Sequence, residues 1–300
     1  MLDRRPTPFL AFAVATLGIA LFSAMDAVMK GLVLAIGVYS TMLWRSFAGV
    51  AMSGAGYALS WKRWPEFRVL RMHVERGVLT SFMGLLFFWG IGHVPLAQAI
   101  ALAFIAPLIA LYLAAVLLGE QVGKRTVGAS VIAFAGVIVI FVGQARADLG
   151  REALLGSLAV LASAVLYAIN IIMMRRQSQA AGPLEIAFFQ NLTVTAVLLL
   201  GLPFVGTSLP EGTHWPALLL AAALSTASLL LLSWAYARAD ASYLAATEYT
   251  AFLWAALFGW LLFGEHLSPF TLAGAVLIVG GCLLAARNPE AANPHLEAAP

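Results

Sequence analysis

From Gly77 to Gly119 the chain contains no Lys, Arg, Asp or Glu. A helix of about 20 apolar residues already crosses a bilayer, so this stretch is too long for one crossing. It breaks at Gly92-His93-Val94-Pro95, where Gly and Pro favour a turn, and therefore reads as a helical hairpin. The rest of the sequence has the same character. Of 300 residues, 62% are hydrophobic and 10% charged, whereas soluble domains are about a quarter charged. That is too little polar surface to cover a globule in water.

Ten spans can be read, at 9–30, 38–60, 75–92, 95–118, 124–143, 152–174, 184–206, 214–237, 241–263 and 268–286. Helices are the natural solution because each bonds its own backbone N–H and C=O groups away from water. The expected fold class is an all-α membrane protein of ten transmembrane helices, with no loop long enough for a soluble domain. Arg4 and Arg5 ahead of an apolar run loosely imitate a secretory signal. The first span is read instead as a retained helix, because it has a partner later in the chain.

Basic residues orient the bundle. With both termini in the cytoplasm, only Lys30, Arg146 and Arg151 fall outside, and Arg45 falls within a span. The rest of the 17 Lys and Arg residues then lie on the inner side, as the positive-inside rule requires. The basic stretch Trp61–Arg76 fits this retention and contact with anionic lipid better than nucleic-acid binding. The expected location is a bacterial inner membrane. The lone Cys282 excludes an internal disulfide.

The sequence also repeats. Residues 89–120 align with 234–265, matching Trp89 to Trp234 and Gly119-Glu120 to Gly264-Glu265. One inserted residue later Gly128-Ala129 meets Gly274-Ala275, and upstream Ala20–Lys30 meets Ala164–Met174. Each unit holds five helices. Five is odd, so the second unit enters the membrane inverted. The expected domains are 1–143 and 152–287, joined by a linker at 144–151 and followed by a tail at 288–300. Inverted repeats are a common ground plan of secondary transporters, because exchanging the conformations of the two halves moves a cavity's opening across the membrane.

The paired ends Leu118-Gly119-Glu120 and Phe263-Gly264-Glu265, Pro107 before the first, and the following Thr126-Val127-Gly128 and Thr271-Leu272-Ala273-Gly274 resemble the drug/metabolite transporter superfamily. The match is to ten-helix exporters of the EamA type, most like the amino-acid exporters known as YddG. One departure is Phe252, which stands where a second proline would match Pro107. The resemblance implies two inverted repeats around a central cavity lined by spans 3, 4, 8 and 9 with parts of 1 and 6. Spans 5 and 10 would brace the fold or join two copies, leaving a monomer or a homodimer.

Charged groups at membrane depth are site candidates by default. Asp26 and Arg45 are expected at one depth on neighbouring spans; their counterparts Asn170 and Gln190 are neutral. They read as a structural clasp or as a pair remade on gating. Glu248 matches Ala103, so symmetry does not require a carboxylate there. It would bind a substrate ammonium, carry a coupling proton, or bond a neighbouring helix. Phe82, Trp89, Gln98, Phe104, Tyr167, Trp234, Tyr243, Tyr249 and Phe252 complete the expected cavity wall, which suits amphipathic ligands. Glu120 and Glu265 read as helix-end anchors.

No phosphate loop, HExxH pair or GxSxG elbow is present, and no cofactor or metal is expected. The reading is a secondary exporter of amino acids or related metabolites, driven by the solute gradient alone or by proton exchange. An intramembrane enzyme acting on lipid-linked groups lacks a visible nucleophile and base. A passive pore fits inverted halves less well.

Overall fold

A computed structural model describes residues 8–59, 64–118, 124–146, 150–207, 209–236, 238, 244 and 247–286. The first unit contains α1 (Pro8–Ile36), α2 (Val38–Leu59), α3 (Phe67–His93), α4 (Leu96–Ala103), α5 (Ala106–Leu118) and α6 (Lys124–Arg146). The second contains α7 (Gly150–Ser178), α8 (Pro183–Val205), α9 (Trp215–Tyr236), α10 (Ala251–Phe263) and α11 (Pro269–Ala286). α4 and α5 are the two parts of the fourth span. Among the described residues there is no strand, and six helices are long and apolar enough to cross a membrane.

The helices follow the expected spans closely, with one large exception: α3 starts at Phe67 rather than residue 75. Charges at Arg68, Arg71, Glu75 and Arg76 dilute the apolar signal there, but the helix continues through them. α1 and α7 also outrun their expected spans. Gly37 alone joins α1 to α2, at a φ of 77° that favours glycine.

Packing carries the repeat into three dimensions. α3 packs on α7 and α8; α9, the repeat partner of α3, packs on α1 and α2. α4 and α5 pack on α7, and α10 packs on α1. Two related groups result: α1, α2, α9 and α10 in one, and α7, α8, α3 and α4–α5 in the other. Each draws on both halves of the sequence. One serine bond marks the relation: Ser163 Oγ donates to the Met83 carbonyl at 2.9 Å, and Ser228 Oγ to the Gly18 carbonyl at 2.8 Å.

Repeat partners that touch run antiparallel. In α2 and α8, a Cβ placed on Gly49 would meet Asn191, on Gly54 Phe188, and on Gly56 Leu184. α6 and α11 behave alike: Ala129 and Ala133 meet Gly281, and Gly143 meets Phe270. A Cβ on Gly136 would lie 2.6 Å from the Gly274 carbonyl oxygen, and the reverse distance is the same. Small residues let these backbones touch. Gly280, on the same helix as Gly274 and Gly281, is instead exposed with open space around it. The α6–α11 pair braces the bundle within one chain.

Candidate functional site

Both fourth helices break, and they break at matching places. In the first repeat the break is Phe104–Ile105, followed by Pro107, which has no N–H to continue the ladder. In the second it is Tyr249–Thr250, without a proline. Here threonine hydroxyls bond backwards: Thr247 Oγ1 donates to the Leu244 carbonyl at 2.7 Å and Thr250 Oγ1 to the Thr247 carbonyl at 2.6 Å. Thr250 N–H bonds the Thr247 carbonyl at 3.0 Å, a tight three-residue turn in place of an α-helical one. The two breaks face one another. Phe104 and Tyr249, equivalent in the repeat, meet edge to face with centroids 5.4 Å apart. Discontinuous helices at mid-depth are where transporters of this architecture form their sites.

Near the breaks, α7 presents Tyr167, whose side chain is exposed midway along the helix. Its hydroxyl is within electrostatic reach of Glu248, Arg76 and Asp26. Glu248 is exposed and also acts on Tyr249. Asp26 is buried on α1, and its Oδ1 has no protein hydrogen-bond partner. Asp26 and Arg45 face each other electrostatically. Among the described residues no salt bridge or hydrogen bond joins them, and Arg45 Nε, like Asp26 Oδ1, is buried without a partner. Ser23, Thr41 and Ser46 add buried hydroxyls without protein partners to the α1–α2 interface.

Arg76 is the residue the sequence reading missed. Assigned there to the inner basic loop, it lies well inside α3 and is buried. Its Nε donates to Asn170 Oδ1 at 2.8 Å and its Nη1 to Gln177 Oε1 at 2.6 Å. Gln177 Nε2 bonds His73 Nδ1 at 2.6 Å, and His73 Nε2 meets Glu185 at 3.2 Å. His73 also stacks on Phe189, with centroids 4.8 Å apart. A polar network thus runs from Glu185 at the start of α8 through His73 and Gln177 to Arg76 and Asn170. Its one sequence signal was the neutral Asn170 opposite Asp26 in the repeat.

Other expected wall residues lie elsewhere. Phe252, just past the turn at Tyr249–Thr250, is buried in the main apolar core. Trp234 packs against the Ala11–Ala15 cluster under the Arg238 guanidinium, 4.3 Å from the ring. Trp89 packs on His93 at 4.2 Å. Phe82 continues an exposed face of α3 with Arg71, Glu75 and Val78. Gln98 is tied into a buried chain with Ser157 and Gln144. Tyr243 and Glu120 lie outside the described residues.

Glu265 is more than a helix-end anchor. Gly264 adopts a left-handed conformation, with φ of 64°, and caps α10. Glu265 then reaches Lys30 at 2.5 Å through Oε1 and the Leu96 N–H at 2.8 Å through Oε2. Lys30, grouped with the outer cations by sequence, is buried and also donates to the Val94 carbonyl at 2.6 Å. This latch ties α1 and the α10–α11 turn to the α3–α4 turn, joining the two helix groups at the end expected to face outward. Beside it lies a cleft of about 230 Å3 lined by Gln98, Gln144, His266 and Thr271.

An all-helical membrane protein with repeat-related groups and paired helix breaks has the build of a secondary transporter. The sequence matches the EamA-like transporter family over residues 9–142 and again over 154–287, and the chain belongs to that family. It is similar to the pseudopaline exporter CntI of Pseudomonas aeruginosa, 28% identical over 89% of this chain and 92% of that protein. It is also similar to a riboflavin transporter of Rhizobium johnstonii, 30% identical over 72% and 70% of the two chains. An S-adenosylmethionine uptake transporter of Rickettsia felis is 26% identical over 71% and 70%. A solved crystal structure shares the fold, with a TM-score of 0.59 at 21% identity over 92% of this chain and 98% of the other. The relatives carry chemically different small molecules, so the family establishes a membrane transporter of small metabolites, without selecting the amino-acid exporters of the YddG type.

Proposed function

We propose that this protein exports amino acids, aromatic or other apolar ones included, or related small metabolites by alternating access. Both termini lie in the cytoplasm of a bacterial inner membrane. The units 1–143 and 152–287, joined at 144–151, interleave into the two helix groups, which rock against each other around one chamber. The observation that carries this reading is the meeting of the two helix breaks at Phe104 and Tyr249, beside Tyr167 and the carboxylates of Glu248 and Asp26. Aromatic rings there stack on an apolar side chain, and the carboxylates attract an ammonium. The direction of transport draws support from the pseudopaline exporter, which aligns over 92% of its own length.

Counterflow tests the reading. Proteoliposomes loaded with unlabelled L-phenylalanine should transiently accumulate labelled phenylalanine from outside. Uptake that simply equilibrates, with no overshoot, would indicate a pore. Glu248 is the proton-carrying candidate. If accumulation against a gradient and its pH dependence survive Glu248→Gln unchanged, that role is lost while the transport reading stands. The second reading, export of another metabolite through the same fold, is favoured if phenylalanine and other amino acids fail while a different solute shows overshoot.

A further inference from the structure

The charges around Tyr167 are separated. Arg76 stands on α3, in one helix group, and Asp26 on α1 belongs to the other. Glu248 directly precedes the turn into α10, also in the second group. All three are within electrostatic reach of the same hydroxyl, yet among the described residues no salt bridge joins Arg76 to either carboxylate. The groups fixing Arg76 are amides, Asn170 and Gln177. Amides orient a guanidinium and leave its charge uncancelled. A guanidinium buried at membrane depth without a counter-ion is strongly unfavourable, so its retention calls for an explanation beyond packing.

The repeat sharpens this. Asn170 occupies the position of Asp26 in the first unit. An aspartate there would have neutralised Arg76 directly. Instead the carboxylate is present in the copy belonging to the opposite group and absent beside the arginine. Arg76 itself matches Ala221, as Glu248 matches Ala103. Neither pole is a relic of duplication, and together they break the symmetry of the site in one sense: Arg76 stands on the α3–α7 side and Glu248 on the α1–α10 side, where Asp26 is faced by Arg45 of α2.

We propose that this chamber selects zwitterions. Arg76 takes the substrate carboxylate, while Glu248 forms the pole for its ammonium and Asp26 faces Arg45 on the same side. Guanidinium geometry suits a planar carboxylate, and among the described residues its hydrogen bonds engage Nε and Nη1 and not Nη2. A solute carrying both charges then bridges the two helix groups; an amine or an acid alone engages one group only. This assignment rests on the amino-acid reading above and narrows it to a pair of poles.

Three probes of one shape test it in counterflow: L-phenylalanine, 2-phenylethylamine lacking the carboxylate, and 3-phenylpropionate lacking the ammonium. Against labelled phenylalanine, each single-charge probe should compete at least roughly 10-fold more weakly than phenylalanine, the loss of one charged hydrogen bond. Arg76→Gln should raise the half-saturation for phenylalanine roughly 10- to 100-fold and leave phenylethylamine unchanged. Glu248→Gln should give the mirror pattern, sparing phenylpropionate. Arg76→Lys, which keeps the charge, should restore part of the preference. If Arg76→Gln does not fold, Arg76→Lys and Glu248→Gln on folded protein carry the same comparison. Equal competition by all three probes in the wild type, or equal weakening of all three by each variant, overturns the assignment and leaves the transport reading intact. Absence of counterflow with every probe overturns the amino-acid reading, and the poles with it.

Discussion

Removing the Lys30 ammonium should open the end of the bundle expected to face outward. Lys30 and Glu265 are largely buried, with side-chain exposures of 6% and 17%, and Lys30 also bonds the Val94 carbonyl and lies 5.4 Å from the centre of the Phe263 ring. Breaking a buried pair by removing one partner costs about 3–5 kcal/mol. Glu265 keeps the Leu96 N–H, which favours the lower end, about 3 kcal/mol. The latch joins the two helix groups, so its loss destabilises the outward-closed arrangement selectively. Three kcal/mol is roughly a 150-fold change in that equilibrium. The assay is a spin-label distance measurement in a Cys282→Ala background, with labels at the exposed positions His266 and Leu154. Wild type should show one short distance. Lys30→Met should add or substitute a longer one, and Lys30→Met with Glu265→Gln should return part of the population, because no lone charge remains. An unchanged distribution in Lys30→Met would refute the reasoning.

Three further outcomes follow from the packing. Gly136→Ala should lower stability by at least about 1–3 kcal/mol, because its Cβ would press on the Gly274 backbone, whereas Gly280→Ala should be neutral; thermal unfolding in detergent separates them. Phe252→Ala should cost about 3–5 kcal/mol as a core truncation, and the exposed Phe82→Ala far less, read by the same melts. Gln177→Leu should leave Arg76 and His73 each short of a partner and cost about 1–3 kcal/mol or more, while Gln98→Leu, outside that network, should spare phenylalanine affinity.

The spans, the repeat and its inversion were legible because lipid imposes a length and a composition on each crossing, and duplication leaves residues such as Gly119-Glu120 and Gly264-Glu265 in register. The central polar residues were legible only in part. Asp26 and Glu248 stand out against apolar neighbours. Arg76 sits among other charges at the start of α3, and its burial comes from Asn170 and Gln177, distant in sequence. The break in the second fourth helix was hidden for a similar reason. The matching position holds Phe252 rather than proline, and the turn depends on back-bonding threonines. Aromatic residues were poorly resolved by pattern: Tyr167 and Phe252 look alike in an apolar span, and tertiary packing alone leaves one exposed and buries the other in the core.

The most direct measurement of the whole account is the reach of a small impermeant maleimide to position 167. In oriented vesicles of Tyr167→Cys with Cys282→Ala, label should arrive from either face, with the outer rate rising when Lys30→Met is added and falling as the inner rate rises when the latch is intact. Label reaching the site from one face only, or from both faces at rates that the latch variant does not move, would contradict a chamber opened alternately by two inverted halves.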